Sequence, residues 1–270
     1  MPCLKAILAK ASDNSNQRFC AKLIECINLV GIAVGKDKFR HDAKEVMEML
    51  ITIQGSQVDA DEFTQNYIFQ GWERLCKCLG QEFLCYMNVV MPPVLRSAQL
   101  KADVSIAAAD LDDIIDGSSD ESVQIITIDD KIFGVKTAIL EEKATSCSML
   151  CCSADELKEG FYPWIEQVAS TLVPLLEFYS HEEIRKVAAS AMPALLRSAK
   201  LAVEKRQAEG QDETYINQLS DYIIPSLVEA LHKEPNIEIC SRLMQALNEC
   251  MEISGILLDD SGKKQGSMVS

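Results

Sequence analysis

The chain predicts an all-α solenoid of stacked helical hairpins, and three observations carry that prediction. A helix-sized apolar stretch, a short polar turn and a second such stretch recur five times, about every 40–50 residues, the period of HEAT-type arrays. The first helix of a pair repeatedly ends on apolar residues around proline: Val90-Met91-Pro92-Pro93-Val94-Leu95, Leu172-Val173-Pro174-Leu175-Leu176 and Ile223-Ile224-Pro225-Ser226-Leu227, with a truncated copy, Met1-Pro2-Cys3-Leu4, at the start. Finally, 270 residues with only 12 glycines and 6% aromatics lack the turns that a sandwich or barrel needs.

The first pair, about 1–35, is incomplete: a stub near residues 4–10, a turn and cap in Asp13-Asn14-Ser15-Asn16, then a helix over 17–34. Ile24, Ile27 and Val30 or Gly31 share one face of that helix, so it has a buried side. The second pair, 36–80, places helices over 39–53 and 64–79 around the polar Gln54-Gly55-Ser56-Gln57 and residues 59–62. The third, 81–155, begins near Glu82 and bends at Pro92-Pro93, where proline removes backbone donors. It is interrupted by an insertion at 98–136 and resumes at Thr137-Ala138-Ile139-Leu140. The insertion explains the spacing: Pro92 to Pro174 is 82 residues, Pro174 to Pro225 only 51.

The fourth pair, 156–205, runs from Phe161-Tyr162-Pro163-Trp164 to Phe178-Tyr179, then over 184–205. Ser180 with Glu183 fits a capping box at the second helix. The fifth, 212–255, spans 213–232 and 237–254 around Lys233-Glu234-Pro235-Asn236. Residues 256–270 read as a disordered polar tail. Neither end looks like a polar capping repeat, so the expectation is a piece of a longer array.

Residues 103–130 hold nine acids and no Lys or Arg, densest at Asp110, Asp112, Asp113, Asp116, Asp120 and Glu121. One reading is a solvated loop whose charge prevents folding. The other is a functional loop that shields the inner face or draws a basic partner over a Debye length of about 8 Å. Ser118, Ser119 and Ser122 among these acids are candidate phosphorylation sites. Two β-branched runs, 124–128 and 132–135, flank Asp129-Asp130-Lys131 and fit a small β-hairpin.

A net charge of −15 argues against direct nucleic-acid binding, which needs a basic face, and favours a basic partner. The eleven cysteines include no C-x-x-C pair and sit mostly in apolar helical stretches, so they read as packing rather than metal or redox sites. An odd count without a signal peptide fits a reducing compartment. No apolar run reaches the roughly 18 residues of a membrane span. No nucleotide, nucleophile-elbow or zinc-protease motif is present, and His41, His181 and His232 lie far apart, so neither catalysis nor a cofactor is expected.

Several segments resemble the middle of the karyopherin-β (importin-β) family of nuclear import receptors, its plant members most. They are Asn28-Leu29-Val30-Gly31-Ile32-Ala33-Val34-Gly35-Lys36-Asp37-Lys38-Phe39, Leu140-Glu141-Glu142-Lys143-Ala144-Thr145, Glu156-Leu157-Lys158-Glu159-Gly160-Phe161, Val173-Pro174-Leu175-Leu176 and Leu247-Asn248-Glu249-Cys250-Met251-Glu252. The resemblance covers about 1–255 and implies a stretch of a HEAT superhelix. It further implies import of basic cargo between cytoplasm and nucleus, release by Ran GTPase, and contact with Phe-Gly nucleoporins at the pore. The family's main Ran-binding repeats, at its amino terminus, have no counterpart here.

In such superhelices the second helix of each pair lines the concave surface. That selects Glu25 and Asn28, Trp72 and Glu73, Glu141 and Glu142, and Asn248, Glu249 and Glu252 as candidate cargo contacts. Carboxylates bind lysine ammonium groups, and an aromatic ring holds the stem or the cation. The same residues also read as solvated acids on ordinary helix faces, with Trp72 in the core. A passive HEAT scaffold, or a truncated chain without function, remains an alternative on the residues alone.

Overall fold

The computed structural model describes residues 2–11, 17–56, 62–100, 123–128, 131–208, 212–255, 257–258 and 264–265. Ten α-helices are described: α1 (Pro2–Ala11), α2 (Gln17–Val34), α3 (Lys36–Ser56), α4 (Glu62–Leu79), α5 (Met87–Ala98), α6 (Thr137–Leu157), α7 (Ile165–Leu172), α8 (Glu182–Glu204), α9 (Glu213–Lys233) and α10 (Ile237–Ser254). They form five antiparallel pairs. Within each pair one helix packs on the next, and the second helices α2, α4, α6, α8 and α10 pack on one another in an unbroken row. One hydrophobic core threads all five pairs, from Leu8 to Cys250. This is the expected HEAT solenoid.

The first helices are less regular, for reasons visible in the sequence. Gly80, at φ 57°, opens a 3₁₀ turn over Gly80–Tyr86 that leads into α5, which contains Pro92 and Pro93. Two further 3₁₀ turns, Lys158–Trp164 and Val173–Glu177, carry Pro163 and Pro174. The fourth first helix, read as continuous from Phe161 to Tyr179, is therefore three short pieces around α7. Proline lacks the donor that an α-helix needs, and the tighter turn absorbs the loss. Pro225 lies inside α9 and Pro193 inside α8, a second helix, so proline is not confined to one layer.

The second helices meet directly, while the first helices touch one another mainly through these 3₁₀ corners; the row of second helices is the wall expected to face a partner.

Caps match local chemistry at the fifth pair. The Asp212 carboxylate accepts from the Thr214 amide at 2.8 Å, and Asn236 Oδ1 accepts from the Glu238 amide at 2.9 Å. Gly255 ends α10 in the left-handed conformation, φ 67°. The capping box expected at Ser180 is not formed: the N-cap of α8 is His181, without a side-chain cap. The chain turns one residue later than expected, with the His181 amide bonded back to the Phe178 carbonyl at 3.2 Å, and Glu183 is exposed.

The insertion in the third pair contains the expected antiparallel hairpin, β1 (Val123–Ile128) on β2 (Lys131–Lys136), feeding directly into α6. Its acidic stretch, with Asp110, Asp112, Asp113, Asp116, Asp120 and Glu121, lies outside the described residues. Its root does not. The Lys143 ammonium donates to the carbonyls of Ala98 and Leu100 and lies 5.5 Å from the Phe178 ring centroid. Gln99 Nε2 donates to Thr171 at 3.1 Å, and Ser97 pairs with the buried Glu142. Of the tail, Leu257–Leu258 pairs with Lys264–Gln265 as two short strands.

One buried ion pair ties the last two repeats. Arg185 of α8 donates to both carboxylate oxygens of Glu234, at 2.8 and 3.1 Å, and to the Phe178 carbonyl at 3.1 Å. Among the described residues, no helix is long and apolar enough to cross a membrane.

Candidate binding surface

The inner wall decides which sequence-selected residues can touch a partner. Trp72 is fully buried, its ring 5.7 Å from Phe69, and Asn28 is buried between α2 and α4 with its amide donating to the Ile24 carbonyl at 2.9 Å. Glu142 is buried beside Ser97. These three are packing and hydrogen-bonding groups of the interior, so they leave the candidate surface. Large rings and bonded amides on a helix that is covered on two sides fill the joint between repeats.

The remaining carboxylates are mostly neutralised by the chain itself. Glu25 accepts from Lys22 at 2.8 Å, which holds its carboxyl below the usual range. Glu73 accepts from Lys77 at 2.6 Å and from Ser148 at 3.0 Å. Glu249 accepts from Arg197 at 2.9 Å and Gln245 at 3.1 Å, while Glu252 accepts from Asn248 at 2.8 Å. An opening of about 480 Å³ over α4, α6, α8 and α10 is lined by cations and anions together, including Lys186 paired with Glu238 at 2.9 Å. Along much of its length the wall is charge-compensated rather than uniformly acidic.

Glu141 differs. It is exposed, in no ion pair among the described residues, and it lines a groove of about 430 Å³ at the ends of α4, α6 and α8 with Tyr67, Gln70, Ala144, His181 and Glu183. Glu183 is likewise exposed and in no ion pair among the described residues. His181 Nδ1 is buried without a hydrogen-bond partner, and burial lowers the imidazole pKa, which Glu183 and Glu141 oppose. Sequence reasoning missed Glu183 because a capping role explained it, and it missed Tyr67 and Gln70 because polar residues one turn apart on an amphipathic helix look like any solvated face.

On the outer layer, Met91, Pro92, Leu95 and Trp164 line a cleft of about 530 Å³ between the third and fourth first helices.

Several cysteines sit in the packed interior. Burial pushes the thiols of Cys147, Cys151 and Cys250 up to about 12. A hydrogen bond with the free thiol of Cys76, together with burial, raises Cys152. Among the described residues, no group of three or more His, Cys, Asp or Glu is arranged to hold a metal.

Five hairpins on one core, with an inner wall of unbroken second helices, define a HEAT-repeat binding solenoid. No protein-family model matches the chain. Importin subunit beta-3 of Saccharomyces cerevisiae is 30% identical over 210 residues, 77% of this chain and 19% of that protein. A probable importin-5 homolog of Dictyostelium discoideum is 24% identical over 257 residues, 94% of this chain and 22% of its own length. The crystal structure of Kap121p bound to Pho4p superposes with a TM-score of 0.76 at 25% identity, over 95% of this chain and 23% of Kap121p. Kap121p has also been solved bound to Nup53p and to RanGTP. The chain belongs to the karyopherin-β family and spans about a fifth of the length of the relatives it matches.

Proposed function

We propose that this chain is a cargo-binding stretch of a nuclear import receptor, taking basic segments along the wall of α2, α4, α6, α8 and α10. The observation that carries this reading is its likeness, over 95% of its length, to Kap121p in complex with Pho4p. Glu141 and Glu183, exposed and in no ion pair among the described residues, support it, since exposed carboxylates attract cations. Glu25, Glu73, Glu249 and Glu252 join the surface where a cargo lysine displaces the resident partner. The acidic insertion, with Asp110 to Glu121, raises the local concentration of basic cargo.

The outer cleft, where Pro92 and Trp164 lie among Asn88, Arg96, Gln99 and Gln167, is the place on this layer where the ring of a Phe-Gly nucleoporin repeat would dock. Movement between cytoplasm and nucleus through the pore, and Ran-dependent release, follow from the same reading.

A titration of a fluorescent lysine-rich peptide at low and high salt tests it, with the chain intact and with residues 103–130 deleted. Saturable binding that weakens with salt is expected, and weakens further on deletion. Absence of binding to a helical, monomeric chain at low salt refutes the reading. Salt-insensitive binding, confined to folded partners, favours a scaffold.

A further inference from the structure

The exposed apolar side chains of this solenoid gather on its first and last pairs. Among the described residues ten large apolar side chains are exposed, and eight of them lie on α1, α2, α9 and α10; Val89 and Tyr179 are the others. None lies on α4, α6 or α8, each of which has a neighbour in the row on both flanks. On α2 and α10 one flank has a neighbour and the other is open.

The open flanks have matching patterns. On α2, Ile24 and Asn28 face Gly71 of α4. About half a turn around that helix, Phe19, Cys26 and Ala33 recur every seven residues and are exposed, with Val30 half-buried between them. On α10, Glu238 and Glu249 reach back to Lys186 and Arg197 of α8. Its other flank repeats Ile237, Cys240, Met244, Leu247 and Met251 at alternating steps of three and four, with Ile237 86% and Met244 60% exposed. Each flank is an apolar seam at the spacing by which one helix lies along another.

The flanks also differ in sign. Residues 1–35 carry four bases and two acids, residues 212–255 two bases and eight acids. Ion pairs to other repeats cancel part of this, at Lys5 in the first pair and at Lys233, Glu234, Glu238 and Glu249 in the last, and the signs stay opposite. Unlike flanks therefore attract and like flanks repel.

We infer that the α10 flank of one copy of this chain docks on the α2 flank of a second copy, so that α10 and the next α2 meet as α8 meets α10. The joint continues an interface that the row of second helices already makes four times, and the charges favour α10 on α2 over either flank on itself. Because the two surfaces differ, a pair keeps one open flank of each kind, and further copies add in an open line. The wall of second helices then runs on from one copy to the next. The inference does not depend on the import reading.

Sedimentation equilibrium of the 270-residue chain under reductant, across a wide range of concentration and at low and high salt, tests it. The average mass is expected to rise with concentration past that of two copies, and to rise less at high salt. Cys26→Glu on α2 and Met244→Glu on α10 each place an unpaired carboxylate in the joint, and each alone should weaken association at least about a hundredfold. Ile237→Glu, at a more exposed position, repeats the α10 test. Mixed, Cys26→Glu and Met244→Glu should pair and stop at two copies, since each retains the flank that the other needs. Val89→Glu, the same kind of change on α5 away from both flanks, should associate as the parent does. Cys26 and Met244 are exposed in the single chain, so circular dichroism should show parental helix content in each variant. A parent chain that stays monomeric throughout overturns the joint and leaves the import reading untouched. So does a mixture that stays monomeric, association that a flank variant retains, or an equal loss in Val89→Glu.

Discussion

The two layers of this solenoid solve the same packing problem with different backbones. The inner layer is five helices, each eighteen or more residues long in α2, α4, α6, α8 and α10, in direct contact along the row. The outer layer is cut by prolines and 3₁₀ turns in the third and fourth pairs, so that α7 retains only eight residues between two such turns, while α3 and α9 run 21 residues each. A continuous inner layer holds side chains in register from repeat to repeat, which a groove spanning α4, α6 and α8 requires. A broken outer layer lets the array curve, since the longer path around the outside is made of shorter, separable pieces. Position and curvature are thus divided between the two faces.

The strongest way to break that division is at Arg185, where the inner helix α8 is clamped to the loop between α9 and α10. Arg185→Met leaves Glu234 buried and unpaired, and a loss of about 3–5 kcal/mol is expected in urea unfolding. Adding Glu234→Leu should recover most of it, since an apolar pair of similar volume is often as stable as a buried ion pair. A loss below about 1 kcal/mol in the single variant would mean that the clamp contributes nothing to the junction.

Pro92→Ala with Pro93→Ala sharpens the comparison from the outer side. Two backbone donors return to α5, but the unfolded chain also regains freedom, so the net change should stay within about 1 kcal/mol. The larger effect is expected in amide exchange, as slower exchange from about residue 88 to 98. Unchanged exchange would show that the outer layer is irregular for reasons other than its prolines.

The smallest effect is the pH response of His181. Burial holds its folded pKa below the ordinary 6.5. Below that pH the unfolded chain gains a proton that the folded chain declines, so this contribution is complete above about pH 6.5 and is lost as the pH falls towards the folded value. Melting at pH 7.5 and 5.5 should therefore fall further in the parent than in His181→Asn. Equal falls would place the imidazole in water-like surroundings.

The fold was legible because its signals are periodic and redundant. Five apolar hairpins and their polar joints each point to the same architecture. The binding surface was not, because periodicity says which helix face is apolar but not which polar residue already has a partner. Glu73 and Glu141 look equivalent in sequence. Only the fold brings Lys77 and Ser148 to the first and leaves the second exposed. Trp72 and Asn28 were selected for their chemistry and turned out to lie in the joint between repeats, where chemistry and packing use the same residue types. Glu183 was hidden by a local motif, since a Ser and a Glu three residues apart satisfy the capping pattern whether or not the helix starts there.

Lys143 gives the insertion a mechanical meaning. Its ammonium grips the carbonyls at which the chain leaves α5, while its charge rests near Phe178 in the next repeat, and Gln99 reaches across to Thr171 in that same repeat. The loop is therefore moored to both sides of one joint. The point at which the chain leaves α5 is thus set by the packing of the fourth repeat as much as by the third, and the two repeats share one anchor.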